Sequence, residues 1–381
     1  MKLIRFNRFA PVLAAIAVLP AFSGWTQSII ITNSLPQGIP RRASIIFIQC
    51  DGLGYGDLSC YGQTNYQTPN LDQLAAEGIR FTNYFAADSS AITRASVLLG
   101  KDYSAARRDI PLAPEAVTVA QVLRLAGYRT GYIGEWDSGD ENSLTAPWKK
   151  GFDEFAGFFN DRDAANFYAD RIFRYVPRTL ADPPQKAAHY VGYEELYYNT
   201  GGKHQTYLPD LFGQAAANFV KENVPDSFNR HRPFFLFVNY IIPDEHVQVP
   251  SDAPYSDEPW PQAEKNRAAL ISRIDDSIAQ LRQQLDKVQM TNNVLIFFAG
   301  SSIPHKTAEM DPAFFQSNLA TNDFHVPMIA HWPEHISAGQ VSGLQWSADD
   351  LLPTAVQIGY ARTPAGVDGT SVLAELGGKR Q

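Results

Sequence analysis

At 381 residues the chain is long enough for one large α/β domain, and its 32 basic and 40 acidic residues give a formal net charge of −8. This charge excludes a general electrostatic attraction to nucleic acid or to an anionic membrane surface. The only cysteines are Cys50 and Cys60, and their spacing favours two small buried thiols over a disulfide, which would have to close a tight loop.

The amino-terminal segment has the layout of a secretory signal peptide. It has a basic start that ends at Arg8, then the apolar run PVLAAIAVLPAF, then a small residue at Ser23. The apolar run is too short to span a bilayer comfortably, and it contains two prolines. We therefore expect residues 1–23 to be removed on export, residues 24–42 to form a linker, and the mature protein to be periplasmic or extracellular. No later stretch is predicted to cross a membrane.

Apolar runs rich in β-branched and aromatic residues predict five buried strands, separated by helical patterns long enough for crossovers. This alternation is typical of an α/β fold with a mostly parallel central sheet sandwiched by helices. We predict one such domain over residues 43–375, followed by a tail at 376–381. The predicted strands cover residues 45–50, 130–134, 234–241, 294–299 and 326–332.

Three helices can be placed from their ends and from their periodicity. Residues 68–78 begin with Thr-Pro and end at a glycine, and residues 118–127 end in the same way. Further along, six apolar residues recur at steps of three and four, which predicts one amphipathic helix that packs on the sheet. These six residues are Ile271, Ile274, Ile278, Leu281, Leu285 and Val288.

Residues 88–100, DSSAITRASVLLG, place a hydroxyl and a guanidinium four residues apart where a helix is predicted to begin. We expect Ser90 at the N-cap and Arg94 one turn further on, both facing the positive end of the helix dipole. This arrangement suits a tetrahedral anion. A serine before an apolar helix is, however, more often only a cap.

Several polar residues closely follow predicted strands. In parallel sheets, ligands bind beyond the carboxyl ends of the strands, so we expect the fold to gather these residues near Ser90. They are Asp51, Glu135, Asp137, Asp244 and Ser301.

Seven further motifs occur in order along the chain: ASIIFIQCDGLGYGDLSCYGQ, TPNLDQLAAEGIRFTNYFA, GYRTGYIGEWDSGD, KKGFDEFAGF, RPFFLFVNYIIPDEH, NNVLIFFAGSSIPH and HVPMIAHWP. With the Ser90 segment, they resemble the sulfatases of the alkaline-phosphatase superfamily. The resemblance implies a sulfuric ester hydrolase with a formylglycine nucleophile, a calcium-like ion, one arginine, two lysines and two histidines. Because the sequence stops soon after DGTSVL, we expect the small carboxy-terminal antiparallel subdomain of this family to be missing or truncated.

The resemblance aligns Ser90 and Arg94 with the first and last positions of the family's C/S-x-P-x-R motif, whose Cys or Ser becomes formylglycine. The middle proline of that motif is Ile92 here, so conversion of Ser90 is an open question. An unmodified serine would need a general base or a metal ion to become a nucleophile.

The resemblance also assigns four positions to the metal. They hold Asp51, Gly52, Ser301 and Ser302, so only one of the four is charged. Calcium prefers six to eight oxygen ligands, several of them charged, and we therefore expect no cofactor; calcium would be the ion if the family site were intact. Asp51 could instead cap the turn that it begins.

Three cationic positions of the family hold acids in this chain. The family's Gly-Lys-Trp-His reads Gly-Glu-Trp-Asp, which places Glu135 and Asp137 there, and the later histidine position is Asp244. With Asp51 and Arg94, these aligned side chains sum to −3. Each reversal replaces an attraction for sulfate by a repulsion of about 4 kcal/mol at contact, reduced where an acid takes up a proton. Weak candidates to replace the lost cations are His246, His305 and Lys306.

These observations favour a pseudosulfatase, a secreted sulfatase-fold protein that binds a small molecule, a sulfated glycan or a protein, or else a cationic ligand. A second hypothesis is an active sulfate- or phosphate-ester hydrolase that uses Ser90, or formylglycine derived from it, with Arg94. A third takes Glu135, Asp137 and Asp244 as a new acidic site for a metal ion or for acid/base chemistry.

Overall fold

The computed structural model describes residues 42–87, 89–103, 112–160, 166–177, 192–224, 232–243, 246–301 and 324–377. In these residues the helices are α1 (Pro69–Glu77), α2 (Ser90–Leu99), α3 (Val119–Leu125), α4 (Leu208–Glu222), α5 (Gln262–Lys287) and α6 (Leu351–Ile358). The strands are β1 (Ser44–Asp51), β2 (Ile79–Phe81), β3 (Tyr84–Phe85), β4 (Arg129–Glu135), β5 (Glu154–Phe158), β6 (Arg171–Val176), β7 (Gly192–Tyr197), β8 (Phe234–Ile241), β9 (Val294–Gly300), β10 (Met328–His331), β11 (Gln340–Ser342) and β12 (Trp346–Ser347).

An open ten-stranded sheet runs through the described part of the chain in the order β11-β2-β10-β9-β1-β8-β4-β5-β6-β7. Its centre, from β9 to β5, is parallel, whereas β10 and the β6–β7 pair run antiparallel to their neighbours. The α/β class predicted from the sequence is confirmed. The predicted strand at 326–332 is shorter in the structure, where it forms β10.

Helices cover both faces of the sheet, so all eight residues of β1 are buried. Ile45 and Phe47 belong to the core under α2, α3 and α6, and Ile46 and Ile48 belong to the core under α1, α4 and α5. Five of the six apolar residues predicted for the amphipathic helix are buried in α5, and the sixth, Val288, is its half-buried C-cap.

Both cysteines are free thiols; Cys50 is buried and Cys60 half-buried. No helix in the described ranges has the length and apolar character needed to cross a bilayer. The predicted signal peptide, nearly all of the predicted linker and residues 378–381 of the predicted tail lie outside the described residues.

The parallel centre of the sheet brings several strand ends to one edge. β1 ends at Asp51, β4 ends at Glu135, and β9 is followed by Ser301. α2 begins at the same edge with Ser90. The carboxyl ends of parallel strands are where α/β sheets place their ligand sites, so this edge is the place to look for one.

Candidate functional site

A buried ion cluster around Arg94 occupies this edge of the sheet. The Nη1 atom of Arg94 donates to Oδ2 of Asp51 at 2.6 Å, and its Nη2 atom donates to Oε2 of Glu135 at 3.3 Å. The same Nη2 atom also donates to Oδ2 of Asp137. Arg94, Asp51 and Glu135 are each no more than 5% exposed. One guanidinium therefore donates hydrogen bonds to three carboxylates.

The charge of Arg94 is stabilised by these neighbours. Burial by itself lowers the pKa of a guanidinium, but Asp137, Asp51 and Glu135 act against burial and raise the pKa of Arg94 well above its ordinary value. Arg94 is therefore a permanent cation, and its charge is paired with carboxylates of the protein itself.

Asp51 accepts hydrogen bonds at both carboxylate oxygens. Oδ1 accepts from Nε2 of Gln49 at 2.8 Å and from the hydroxyl of Ser301. Oδ2 accepts from Arg94 and from Nδ2 of Asn239 at 3.0 Å. Gln49 lies on the same face of β1 as Asp51, two residues earlier, and it pairs in register with Asn239 of β8. Four donors thus hold one carboxylate.

The turn after β4 directs Asp137 toward Arg94. Asp137 has a φ of 50°, in the left-handed region that non-glycine residues seldom adopt. Trp136 fixes this turn: its side chain is fully buried, its Nε1 atom donates to the carbonyl of Thr145 at 2.9 Å, and its ring packs edge-on against Tyr132. The packing of Trp136 therefore brings its two sequence neighbours, Glu135 and Asp137, into the cluster.

Ser90 lies at the rim of the cluster, half-buried, with its hydroxyl oxygen 3.1 Å from that of Ser301. The prediction that Ser90 is the N-cap of α2 is wrong. Ser89 holds that place, because it has the extended backbone of a cap (φ −135°, ψ 161°) and its hydroxyl accepts from the backbone N–H of Ile92 at 3.2 Å. Ser90 is the first helical residue.

Gly52 cannot carry a side chain in this backbone. Its φ is 74°, and an ideal Cβ there would lie 2.2 Å from the carbonyl oxygen of Ile242. Its own carbonyl accepts from Arg267 at 2.7 Å, which fixes the peptide in place. A second carboxylate at this position would therefore require the backbone to move.

The residues present do not fit the calcium ion that the resemblance implies. Asp51 is the one described carboxylate among the aligned metal positions, and both of its oxygens already accept from two donors each. The amide oxygens of Gln49 and Asn239 are buried without a hydrogen-bond partner among the described residues. Calcium accepts such oxygens, but they add no negative charge to the single carboxylate. In the same residues, no three His, Cys, Asp or Glu side chains are arranged to hold a metal ion.

The remaining predicted site residues are not part of the described cluster. His246 is exposed and has a φ of 56°. It is not among the residues that are shown to contact Arg94 or Ser90. Asp244, Ser302, His305 and Lys306 lie outside the described residues and stay predictions.

Sequence reasoning missed three side chains of the site. Gln49 and Asn239 were not singled out, although each is an amide in an otherwise apolar strand, which was the available signal. The hydroxyl oxygen of Thr93 lies 2.9 Å from the carbonyl of Ser89 and 2.8 Å from that of Ser301, so it joins α2 to the end of β9.

Comparisons with known proteins agree on one group. A family model described as "Sulfatase" matches residues 43–359. N-acetylgalactosamine-6-sulfatase from Homo sapiens is 27% identical over 376 residues, which cover 89% of this chain and 66% of that protein. Arylsulfatase A from Homo sapiens is 28% identical, over 90% of this chain and 69% of its own. The chain thus spans about two thirds of the length of these relatives.

A solved structure shares the fold. The crystal structure of Ps i-CgsB superposes with a TM-score of 0.70 at 24% identity, and it covers 88% of this chain and 76% of its own.

Proposed function

Because the chain belongs to the sulfatase family, we propose that it uses the sulfatase fold to bind a ligand and that it does not hydrolyse sulfate esters. One observation carries the proposal: the guanidinium of Arg94, which aligns with the arginine of the family's C/S-x-P-x-R motif, is engaged by three carboxylates. A sulfate group could reach Nη1 or Nη2 of this guanidinium only by displacing acids that are attached to the protein, and Nε is buried.

The electrostatics of the cluster support this proposal. One guanidinium and three carboxylates sum to −2, so the cluster as a whole is negative. At contact, each uncompensated carboxylate would repel a sulfate by about 4 kcal/mol for an effective dielectric constant of about 20. Catalysis of sulfate transfer needs the opposite, a positive surrounding for the charge that develops on the oxygens.

The ligand that we propose is uncharged or cationic where it meets the cluster, and it is a small molecule, a glycan or a protein segment. A sulfated glycan would have to bind with its sulfate groups away from Arg94. Since residues 1–23 read as a signal peptide, we propose that binding takes place in the periplasm or outside the cell.

A sulfatase assay tests the proposal. Purified protein is incubated with an aryl sulfate and with N-acetylgalactosamine 6-sulfate, in calcium and in EDTA, beside Ser90→Ala and the neighbouring control Ser89→Ala. We expect no turnover that depends on Ser90. Turnover that is lost in Ser90→Ala and kept in Ser89→Ala would reject the proposal in favour of an active hydrolase.

Mass spectrometry of the peptide that contains Ser90 separates the two hypotheses independently. We expect the mass of an unmodified serine. Formylglycine would appear as a loss of two hydrogens, and its presence would favour the active hydrolase.

A further inference from the structure

We infer that Arg94 is the resident cation of this site: its guanidinium pairs with Asp51, Glu135 and Asp137 and offsets part of their charge in place of a divalent ion, and it keeps such an ion out. The inference goes beyond the proposed function, because it concerns what holds the site together. It stands or falls on stability and metal content, whether or not the chain hydrolyses an ester.

The three acidic side chains come from separate parts of the fold. Asp51 ends β1, Glu135 ends β4, and Asp137 lies in the turn that follows, so the acids come from two strands and a loop. These like charges repel one another, and burial of each one without a partner is costly. Arg94 arrives from α2 and contacts all three, so it joins elements that would otherwise be driven apart.

The guanidinium of Arg94 occupies the place that a calcium ion would need. Calcium binds carboxylate oxygens at 2.3–2.6 Å and needs six to eight oxygens. Nη1 of Arg94 already lies 2.6 Å from Oδ2 of Asp51, and Asn239 donates to the same oxygen. An ion placed at this oxygen would clash with the guanidinium and with the amide group of Asn239, which already occupy the directions from which the oxygen is approached.

A second buried arginine, Arg267, differs from Arg94 in what it pairs with. Arg267 is 1% exposed and also pairs with a buried acid, Asp57, at 2.7 Å. Its second described acceptor is a backbone carbonyl, that of Gly52. Removal of Arg267 would thus leave one buried carboxylate without its guanidinium, whereas removal of Arg94 would leave three. With Arg94 in place the three acids are not arranged as a metal site, but once released they would supply the several charged oxygens that calcium requires.

Thermal unfolding in EDTA and in about 5 mM calcium tests the inference, with bound metal measured by elemental mass spectrometry. The proteins are wild type, Arg94→Met, Arg94→Lys and the matched control Arg267→Met. We expect wild type, Arg94→Lys and Arg267→Met to unfold at the same Tm in both media, with no stoichiometric calcium. We expect Arg94→Met to gain about 3 °C in calcium and to retain about one ion, as for a site with a Kd of roughly 0.1 mM.

Two outcomes would overturn the inference. One is a wild-type protein that binds calcium or loses stability in EDTA. The other is an Arg94→Met variant that folds and ignores calcium, because its three carboxylates would then not need a cation. An Arg94→Met variant that folds only in calcium would support it. If that variant is insoluble in both media, the wild-type measurement decides.

Discussion

The α-carbon of Gly52 faces the carbonyl oxygen of Ile242 so closely that a Cβ at position 52 would lie 2.2 Å from it. The backbone here is fixed on the other side as well, because Arg267 holds the Gly52 carbonyl. With this backbone, the residue that follows Asp51 therefore has to be a glycine.

Gly52→Asp is predicted to destabilise the protein without creating a calcium site. The cost combines a left-handed backbone with a clash against a carbonyl, and we expect a loss of about 3 kcal/mol or more in the free energy of unfolding. Urea denaturation measures it. Gly201→Ala is the matched control, since Gly201 has nearly the same φ, 73°, but nothing within 4 Å of an added Cβ, and it should lose only about 1 kcal/mol. Equal losses in the two variants would show that the contact with Ile242 is unimportant.

Ser89→Ala is predicted to cost more stability than Ser90→Ala. Ser89 caps α2 through its hydroxyl, and loss of such a cap costs about 1 kcal/mol. Ser90 is already helical, and alanine favours a helix, so its replacement should change the free energy of unfolding by less than about 0.5 kcal/mol. Chemical denaturation of the two variants decides, and the reverse order would contradict the assigned cap.

The sequence was a good guide to the elements because both faces of the sheet are covered. Buried parallel strands read as continuous apolar runs. Four of the five predicted strands therefore begin and end within one residue of the observed strands β1, β4, β8 and β9. The capping error was different in kind. Adjacent serines have the same chemistry, and only the backbone conformation, which depends on the approach of the chain to α2, separates them.

The composition of the site was partly accessible from the sequence, but its pairing was not. Asp51, Glu135 and Asp137 follow strands and could be expected at one edge. That all three contact Arg94 depends on the left-handed turn at Asp137 and on the packing of Trp136, which are tertiary effects. The role of Gln49 depends on its register with β8, which no local pattern reveals.

Lys150→Met is predicted to be far more damaging than Lys149→Met. Lys150 is fully buried, and its Nζ atom donates to the carbonyls of Ala113, Pro114 and Ala116 at 2.7–2.8 Å. Methionine would leave these three acceptors unsatisfied, at a cost of about 2–4 kcal/mol.

Lys149 is the matched control for this prediction. Its ammonium also donates to carbonyls, those of Asn142 and Ser143, but in an exposed position where water can replace it. Its replacement should change the free energy of unfolding by less than about 0.5 kcal/mol. A Lys150→Met variant as stable as Lys149→Met would mean that the three carbonyls find other donors.

Asp275 is predicted to make the protein less stable as the pH rises from about 4 to about 6. Its buried carboxylate accepts from the backbone N–H groups of Asn70 and Leu71 at the start of α1. Burial nevertheless raises the pKa of Asp275 to about 6, and the hydrogen bonds from Asn70 and Leu71 only partly oppose it.

Since an unfolded aspartate has a pKa of about 3.9, the folded protein binds this proton more tightly than the unfolded chain, and folding is favoured at low pH. The stabilisation is complete below about pH 4 and is lost as the pH rises through 6, and at two pKa units it amounts to roughly 3 kcal/mol. Urea unfolding from pH 4 to 7 of wild type and Asp275→Asn isolates the effect, because the asparagine cannot titrate. The difference between the two free energies should fall with pH over this range and then level off. A difference that rises with pH would contradict the prediction. It would mean that the hydrogen bonds from the N–H groups of Asn70 and Leu71 lower the pKa of Asp275 by more than burial raises it.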